Sequence, residues 1–161
     1  MPQSGQPITL RAATPEDQEF LIQLFAATRD DLALANLDKD QNQLLIELQF
    51  RARENQYRFA YPSATTSIIL EGDKEVGSMI VNRGEHDIHL VDIALLPEHR
   101  NAGIGTRFVK ELIDEASATN RIVRLQVFKT NPALHLYERL GFEQVADQSM
   151  YLEMICKAPT E

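Results

Sequence analysis

The turn from Arg100 to Thr106 carries the residues whose types and spacing most directly indicate chemistry. Gly103 and Gly105 place no side chain where a phosphate would approach the backbone. The turn leads into an amphipathic helical pattern, and the first N–H groups of a helix lack internal partners and lie at its positive end. These properties predict a binding site for a pyrophosphate, to which Thr106 can add a hydroxyl donor.

Three phosphate-binding motifs contain such glycines, and the neighbouring residues distinguish between them. A Walker loop requires a lysine directly after its second glycine, whereas Thr106 follows Gly105 here. A dinucleotide fingerprint requires a third glycine at the position that Phe108 occupies. The CoA-binding turn, Arg/Gln-x-x-Gly-x-Gly/Ala, fits Arg100, Gly103 and Gly105. The turn therefore favours CoA over the plainer alternative, a glycine-bearing loop before a helix.

The elements that must position this turn predict one domain, residues 8–157, in which strands and helices are mixed over a single sheet. Residues 1–7 and 158–161 are predicted to be tails. Helical spacing predicts two helices before Pro62 and two more at 103–119 and 132–140. Apolar runs predict strands at residues 8–12, 67–71, 76–82, 88–95, 122–128, 142–145 and 150–155.

The two helices before Pro62 have recognisable start signals. Thr14, Pro15 and Asp17 are predicted to cap the first helix, with Asp17 reaching back to complete a capping box. A polar break around residues 38–42 precedes the second helix. The apolar residues predicted on the buried face of that second helix are Leu44, Leu45, Leu48 and Ala52.

The composition restricts the class of protein. The chain has 161 residues, a formal net charge of -8 and a single cysteine. The acidic charge argues against broad nucleic-acid binding and fits a cationic acceptor such as an amine. No signal peptide and no apolar run of the ~20 residues that cross a bilayer is evident, so no membrane association and a cytoplasmic location are expected. Cys156 is predicted to be a buried small apolar residue.

Two motifs, taken in order, resemble those of the GNAT superfamily of N-acetyltransferases. The first runs from Ile93 to Arg100 into the glycine turn, and the second from Asn131 to Phe142. The order of elements matches from Ile8 to about Ile155. The resemblance implies the GNAT fold, a mixed α/β (α+β) class with a central mixed, mostly antiparallel sheet of six to seven strands and helices on both faces. It also implies an enzyme that transfers an acetyl group from acetyl-CoA to a primary amine.

The resemblance further implies roles for individual residues. One N–H of the Ile93-to-Leu95 backbone, that of Leu95, should polarise the thioester carbonyl, and Asn131 should help to fix the cofactor arm. Tyr137 should protonate the departing CoA thiolate, because a tyrosine with a pKa of about 10 is protonated at neutral pH. The cofactor-binding residues that follow are Ile93, Ala94, Leu95, Arg100, Asn101, Ala102, Gly103, Ile104, Gly105, Thr106, Asn131 and Tyr137.

The general base has more than one candidate. A position that holds glutamate in some family members, on the strand before the glycine turn, is His89, and a histidine with a pKa of about 6.5 can accept a proton. A second such position is Gln126, which cannot act as a base. Asp92 is another candidate, although strand alternation puts it on the face opposite His89. A water chain is a further alternative, and His89 can equally be a half-buried structural histidine.

Two departures from the family pattern bear on the cofactor and on metals. Asn101 and Ala102 replace the glycine and the basic residue often found inside this turn, which leaves less positive charge for the phosphates. The remaining histidines, His86, His99 and His135, are predicted at the surface without metal-ligand spacing. No metal site is therefore expected.

The sequence determines the acceptor less than it determines the acyl donor. Arg51 and Arg58 could bind a carboxylate or phosphate of the acceptor, or they could be solvated helix charges. The alternative to an enzyme is a CoA-binding regulatory or partner module, and an acyl group longer than acetyl is also open. Many family members form homodimers, but no stripe in the sequence identifies an interface.

Overall fold

The computed structural model describes residues 6–29 and 38–157 of the chain. Of the tails predicted at residues 1–7 and 158–161, residues 1–5 and 158–161 lie outside the described residues, and the carbonyl oxygen of Pro7 accepts a hydrogen bond from the backbone N–H of Gly72 at 2.8 Å. Among the described residues, no helix is both long and apolar enough to cross a membrane.

The strands of the described chain form one mixed sheet, as predicted. Their bounds are β1 (Ile8–Ala12), β2 (Thr65–Glu71), β3 (Lys74–Arg83), β4 (Asp87–Leu95), β5 (Ile122–Phe128), β6 (Glu143–Gln148) and β7 (Tyr151–Cys156). The strand order is β1-β2-β3-β4-β5-β7-β6. β4 and β5 are parallel, whereas the pairs β1–β2, β5–β7 and β6–β7 are antiparallel. The mixed α/β fold class is thereby confirmed.

Four α-helices are present in residues 6–29 and 38–157. They are α1 (Gln18–Ala27), α2 (Lys39–Ala60), α3 (Ile104–Ala118) and α4 (Ala133–Arg139). The polar break predicted around residues 38–42 is the start of α2 itself, because Asp38 caps this helix and accepts a hydrogen bond from the backbone N–H of Gln41 at 2.8 Å.

The capping box predicted before α1 is confirmed, although a short 3-10 turn comes first. Asp17 accepts the backbone N–H of Thr14 at 2.8 Å and both guanidinium nitrogens of Arg11 at 2.8 Å. The hydrogen bonds from Arg11, followed by that from Thr14, hold the pKa of this buried carboxyl well below its usual range. The first helix is thus tied to β1 by a fully paired carboxylate.

The buried face of α2 differs from the prediction. Ile46 and Phe50 are buried, and the Phe50 ring packs edge-on against Phe25 of α1 with centroids 5.7 Å apart. Leu45 is partly buried against them, but Leu44 and Leu48 are 60% and 57% exposed. The prediction was wrong for Leu44, Leu48 and Ala52 because two apolar rows have helical spacing on this helix. The row that contains the aromatic side chain became the core.

The chain divides into two compact units, and the single-domain organisation stays a prediction. The first unit comprises Met1–Met79 and Ile93–Arg100, and the second comprises Ile80–Asp92 and Asn101–Glu161. The first has its core around Phe50. The core of the second is formed by residues of β4, β5, β7 and α3, among them Ile88, Val109, Val123, Leu125 and Met154.

Candidate active site

The glycine turn before α3 has the backbone of an anion site. Gly103 precedes the helix with φ of 84°, a left-handed conformation that glycine adopts without strain, and Asn101 has φ of 63°. A Cβ built on Gly103 or Gly105 would meet no other atom within 4 Å. The turn therefore leaves open space beside the first N–H groups of α3, which lack intrahelical partners, and the residues present fit a pyrophosphate.

The side chain of Arg100 fixes the entry to this turn. Its Nε donates to the carbonyl oxygen of Leu95 at 3.0 Å, and its Nη2 donates to that of Ala27 at 3.4 Å. Ala27 is the last residue of α1, so the guanidinium also neutralises the negative end of that helix. Arg100 thereby joins the end of β4 to the end of α1.

The end of β4 lies unusually close to β3. The backbone N–H of Leu96 donates to the carbonyl oxygen of Val76 at 2.9 Å, and a Cβ on Gly77 would clash with the Ala94 carbonyl oxygen and the Leu95 side chain. Sequence reasoning missed Gly77, although a lone glycine inside a strand pattern is a signal for close backbone approach. Gly77 allows the Ala94-to-Leu95 backbone to take its position.

Tyr137 lies on α4 in the second motif and is buried. Its ring packs edge-on against Phe142 with centroids 5.6 Å apart. Burial, and then the negative charge of Asp92, raise the pKa of Tyr137 to about 12. Asn131 initiates this helix, because its Oδ1 accepts the backbone N–H of Ala133 at 2.9 Å. The phenol is therefore protonated throughout the physiological pH range.

His89 lies on β4 beside a cluster of charged side chains. It is in register with Arg124 of β5, whose guanidinium donates to Asp87 Oδ2 at 3.0 Å and to Glu153 Oε2 at 2.6 Å. Burial and the Arg124 charge lower the pKa of His89, and the Asp87 and Glu153 charges oppose them in part. The lowered pKa favours a neutral imidazole at pH 7.

The register of the sheet separates the titratable residues of β4. Ile88 and Leu90 are buried opposite Val123 and Leu125, so His89 between them points to the other face. Asp92 shares the face of Ile88 and Leu90. The structure thus brings Tyr137 and Asp92 into electrostatic interaction and places His89 with Arg124, Asp87 and Glu153 on the opposite face.

Other histidines and polar residues differ in their surroundings. His86 and His135 are exposed as predicted, but His99 is largely buried, with Nδ1 3.0 Å from Glu71 Oε1. Gln126 is exposed and donates to Gln148 at 3.2 Å.

Within residues 6–29 and 38–157, no group of three or more His, Cys, Asp or Glu side chains could hold a metal ion. Cys156 is buried, and burial raises its thiol pKa.

The aromatic side chains of α1 and α2 gather around an arginine that the sequence did not single out. The guanidinium carbon of Arg53 lies 5.0 Å from the Phe25 ring centroid and 5.3 Å from that of Tyr57. Stacking on aromatic faces is a favourable position for a guanidinium. Arg51 and Arg58, by contrast, are exposed on the outer side of α2.

The glycine turn and the motif helix together match a known family. The family model described as "Acetyltransferase (GNAT) domain" matches residues 62–144, just over half of the chain. The chain belongs to the GNAT acetyltransferase family, whose members use acetyl-CoA as acyl donor. No curated protein sequence matches the chain significantly.

Solved structures of acetyltransferases share the fold. The PaiA N-acetyltransferase of Thermoplasma acidophilum, in complex with coenzyme A, has a TM-score of 0.69 at 16% identity, over 94% of this chain and 99% of that one. An acetyltransferase of Thermus thermophilus has a TM-score of 0.68 at 19% identity, over 93% and 96%. The spermidine N-acetyltransferase of Vibrio cholerae, in complex with CoA and spermine, has a TM-score of 0.63 at 17% identity, over 93% and 95%.

Proposed function

We propose that the chain transfers an acetyl group from acetyl-CoA to a primary amine by direct attack, without a covalent enzyme intermediate. The observation that carries this proposal is the buried Tyr137, held protonated on the motif helix of a GNAT acetyltransferase. Spermine in the Vibrio cholerae complex supports an amine acceptor. The net charge of -8 also favours a cationic acceptor over an anionic one.

Acetyl-CoA supplies the acetyl thioester. The N–H groups of residues 101–106 bind its pyrophosphate, which the open space beside Gly103 and Gly105 supports. The Ile93-to-Leu95 backbone pairs with the pantetheine arm, and the N–H of Leu95 polarises the thioester carbonyl. The Oδ1 of Asn131 accepts the hydrogen bond at the start of the motif helix, so its side-chain amide nitrogen is left to orient the pantetheine arm. Arg100 acts by fixing the start of the turn.

Two side chains move the protons. The acceptor ammonium first loses one proton to solvent, and His89 accepts the second proton from the nitrogen as the neutral amine attacks, because its lowered pKa keeps the imidazole neutral. A new C–N bond forms as the C–S bond breaks, and Tyr137 donates its phenolic proton to the departing sulfur. Solvent then returns a proton to Tyr137 and removes one from His89. Asp92 or a water chain is the alternative base.

The test is a thiol-release assay over a panel of small amines, polyamines and peptides. We expect Tyr137→Phe to lower kcat by about 100-fold or more, with little change in CoA affinity, because the phenylalanine keeps the packing but loses the proton. Tyr151→Phe, which changes an exposed tyrosine of β7, is the matched control and should leave kcat unchanged. Unchanged turnover in Tyr137→Phe would remove Tyr137 as the acid.

A CoA-binding regulatory module is the second candidate, favoured by one observation. Gln126 stands where some relatives have a catalytic glutamate, and it is exposed and hydrogen-bonded to Gln148. Calorimetric binding of acetyl-CoA without turnover of any amine in the panel would support this candidate. Turnover that is abolished by His89→Ala would exclude it.

A further inference from the structure

The outer side of α2 presents to solvent a row of apolar side chains that Asn55 interrupts between Ala52 and Phe59. The row consists of Leu44, Leu48, Ala52 and Phe59, and Leu44, Leu48 and Phe59 are 60%, 57% and 91% exposed. These positions fall within about 80° around the helix axis and extend about 22 Å along it. Contiguous exposed apolar residues bordered by charges are typical of protein interfaces. We refer to these four residues as the outer row.

One flank of the outer row carries four charges in a symmetrical arrangement. Asp40, Glu47, Arg51 and Arg58 fall within about 40° of one another around the axis, so they form a single line beside the row. Successive charges are separated by seven, four and seven residues. The two acids lie in the N-terminal half of α2 and the two arginines in the C-terminal half.

The charges along one α2 helix are complementary to those along a second copy that runs in the opposite direction. Both the pair Asp40 and Arg58 and the pair Glu47 and Arg51 are centred on position 49. Two antiparallel copies related by a two-fold axis bring the same flank of each helix together. Each acid then faces an arginine, whereas parallel copies would place like charges opposite each other.

Within the described part of the chain, these charges are not committed to ion pairs. Glu47 accepts a hydrogen bond from Gln43 at 3.0 Å, and Arg58 donates one to Asn55 at 3.3 Å. No ion pair of the described residues includes Asp40, Glu47, Arg51 or Arg58. All four remain able to pair across an interface.

We propose that the chain forms a two-fold homodimer in which α2 packs antiparallel against α2 of a second copy. Leu48 lies next to the axis and contacts Leu48 of the second copy, and Leu44 lies against Ala52 of the second copy. Asp40 pairs with Arg58 of the second copy, and Glu47 pairs with Arg51 of the second copy. The contact involves one helix per chain, so a reversible dimer is expected.

A second copy accounts for the surface better than a membrane does. A membrane-binding helix needs basic residues beside its apolar face, whereas this flank has two acids and two bases and the chain is acidic overall. The proposal is independent of the proposed acetyl transfer, because it rests only on the outer row and its flank.

The test begins with the mass of the full chain in solution, measured by sedimentation equilibrium from about 1 to 200 μM, a range that brackets reversible dimers. We expect twice the 18.3 kDa of one chain at the upper concentrations. Leu48→Glu places charges at the axis and should raise the dissociation constant about tenfold or more. Because Leu48 is exposed, circular dichroism should show an unchanged fold. A monomer throughout the range overturns the proposal.

Charge reversal tests the geometry itself. Glu47→Arg alone, or Arg51→Glu alone, puts two like-charged pairs into the proposed homodimer, and each should weaken it. A mixture of the two single variants should form heterodimers, because every acid again faces an arginine. The double variant Glu47→Arg/Arg51→Glu should also dimerise.

The control applies the same changes on another helix. Arg107 and Glu111 form an exposed i,i+4 pair on α3, 3.0 Å apart. Glu111→Arg should leave the mass unchanged. If the dissociation constant of the dimer is unchanged by Leu48→Glu and by the charge reversals at Glu47 and Arg51, the interface lies elsewhere and the proposal is overturned.

Discussion

Tyr137 and His89 have opposite environments, and each environment suits the proton-transfer role that we propose for the residue. Burial and a neighbouring carboxylate keep the phenol protonated, whereas burial and a neighbouring guanidinium keep the imidazole neutral. In the proposed reaction the phenol supplies a proton to the leaving sulfur, and the imidazole removes a proton from the nucleophile.

At the residue scale, the pH dependence of kcat/KM tests His89 as the base. Activity should fall as the pH drops through the lowered pKa of His89, because protonation removes the free imidazole nitrogen. Arg124→Gln should move this acid limb to higher pH, since loss of the neighbouring positive charge raises the pKa of His89.

The controls separate this role from a general effect of pH. His89→Gln should abolish the acid limb and lower kcat/KM by about 100-fold or more. His86→Gln changes an exposed histidine and should leave the profile as it is. If the acid limb persists in His89→Gln, the base is Asp92 or a water chain.

At the element scale, backbone conformation more than side-chain identity sets the shape of the turn before α3 and of the end of β4. The turn before α3 bends through the left-handed conformations of Asn101 and Gly103, which leaves the start of the helix open. The end of β4 approaches β3 because Gly77 has no side chain. Both glycines leave space: Gly103 at the site proposed for the pyrophosphate, and Gly77 for the neighbouring backbone of β4.

Gly105→Ala distinguishes a ligand site from a structural turn. Apart from the adjoining backbone of the helix, a Cβ at this position meets no atom within 4 Å, and alanine is the better helix former, so the melting temperature should stay the same or rise. The same methyl group would occupy the space proposed for the pyrophosphate. CoA affinity measured by calorimetry should therefore fall about tenfold or more.

The matched control lies at the other end of the same helix. Ser117 is exposed near the end of α3, and Ser117→Ala should leave CoA affinity unchanged. Wild-type CoA affinity in a stably folded Gly105→Ala would show that the pyrophosphate binds elsewhere.

At the scale of the whole molecule, ligand binding is coupled to folding. A ligand that binds only the folded chain at 100 times its dissociation constant adds about 2.7 kcal/mol to the free energy of unfolding. For a chain of this size, CoA should then raise the melting temperature by about 5–10 °C. Pantetheine lacks the pyrophosphate, so at the same concentration it should give a smaller shift. An absent shift at saturating CoA would contradict binding to the folded chain.

Most of the fold was predictable because local pattern determines it. The β5 bounds are those predicted, and the predicted bounds of α3 and α4 lie within one residue of the observed ones, because apolar periodicity and flanking turn residues act over short distances. The residues of the CoA turn were also identifiable, since a motif specifies their types and spacing. Their cofactor roles, like the base role of His89, stay predictions.

The sequence by itself determined the family, the order of elements and the acyl donor, because these depend on residue types at fixed separations along the chain. Tertiary structure decided which of two apolar rows on α2 became core, and so left Leu44 and Leu48 exposed. It also placed Asp92 by Tyr137, Arg124 by His89 and Gly77 against Ala94. Each of these depends on residues distant in sequence, whose proximity is set by strand register and packing.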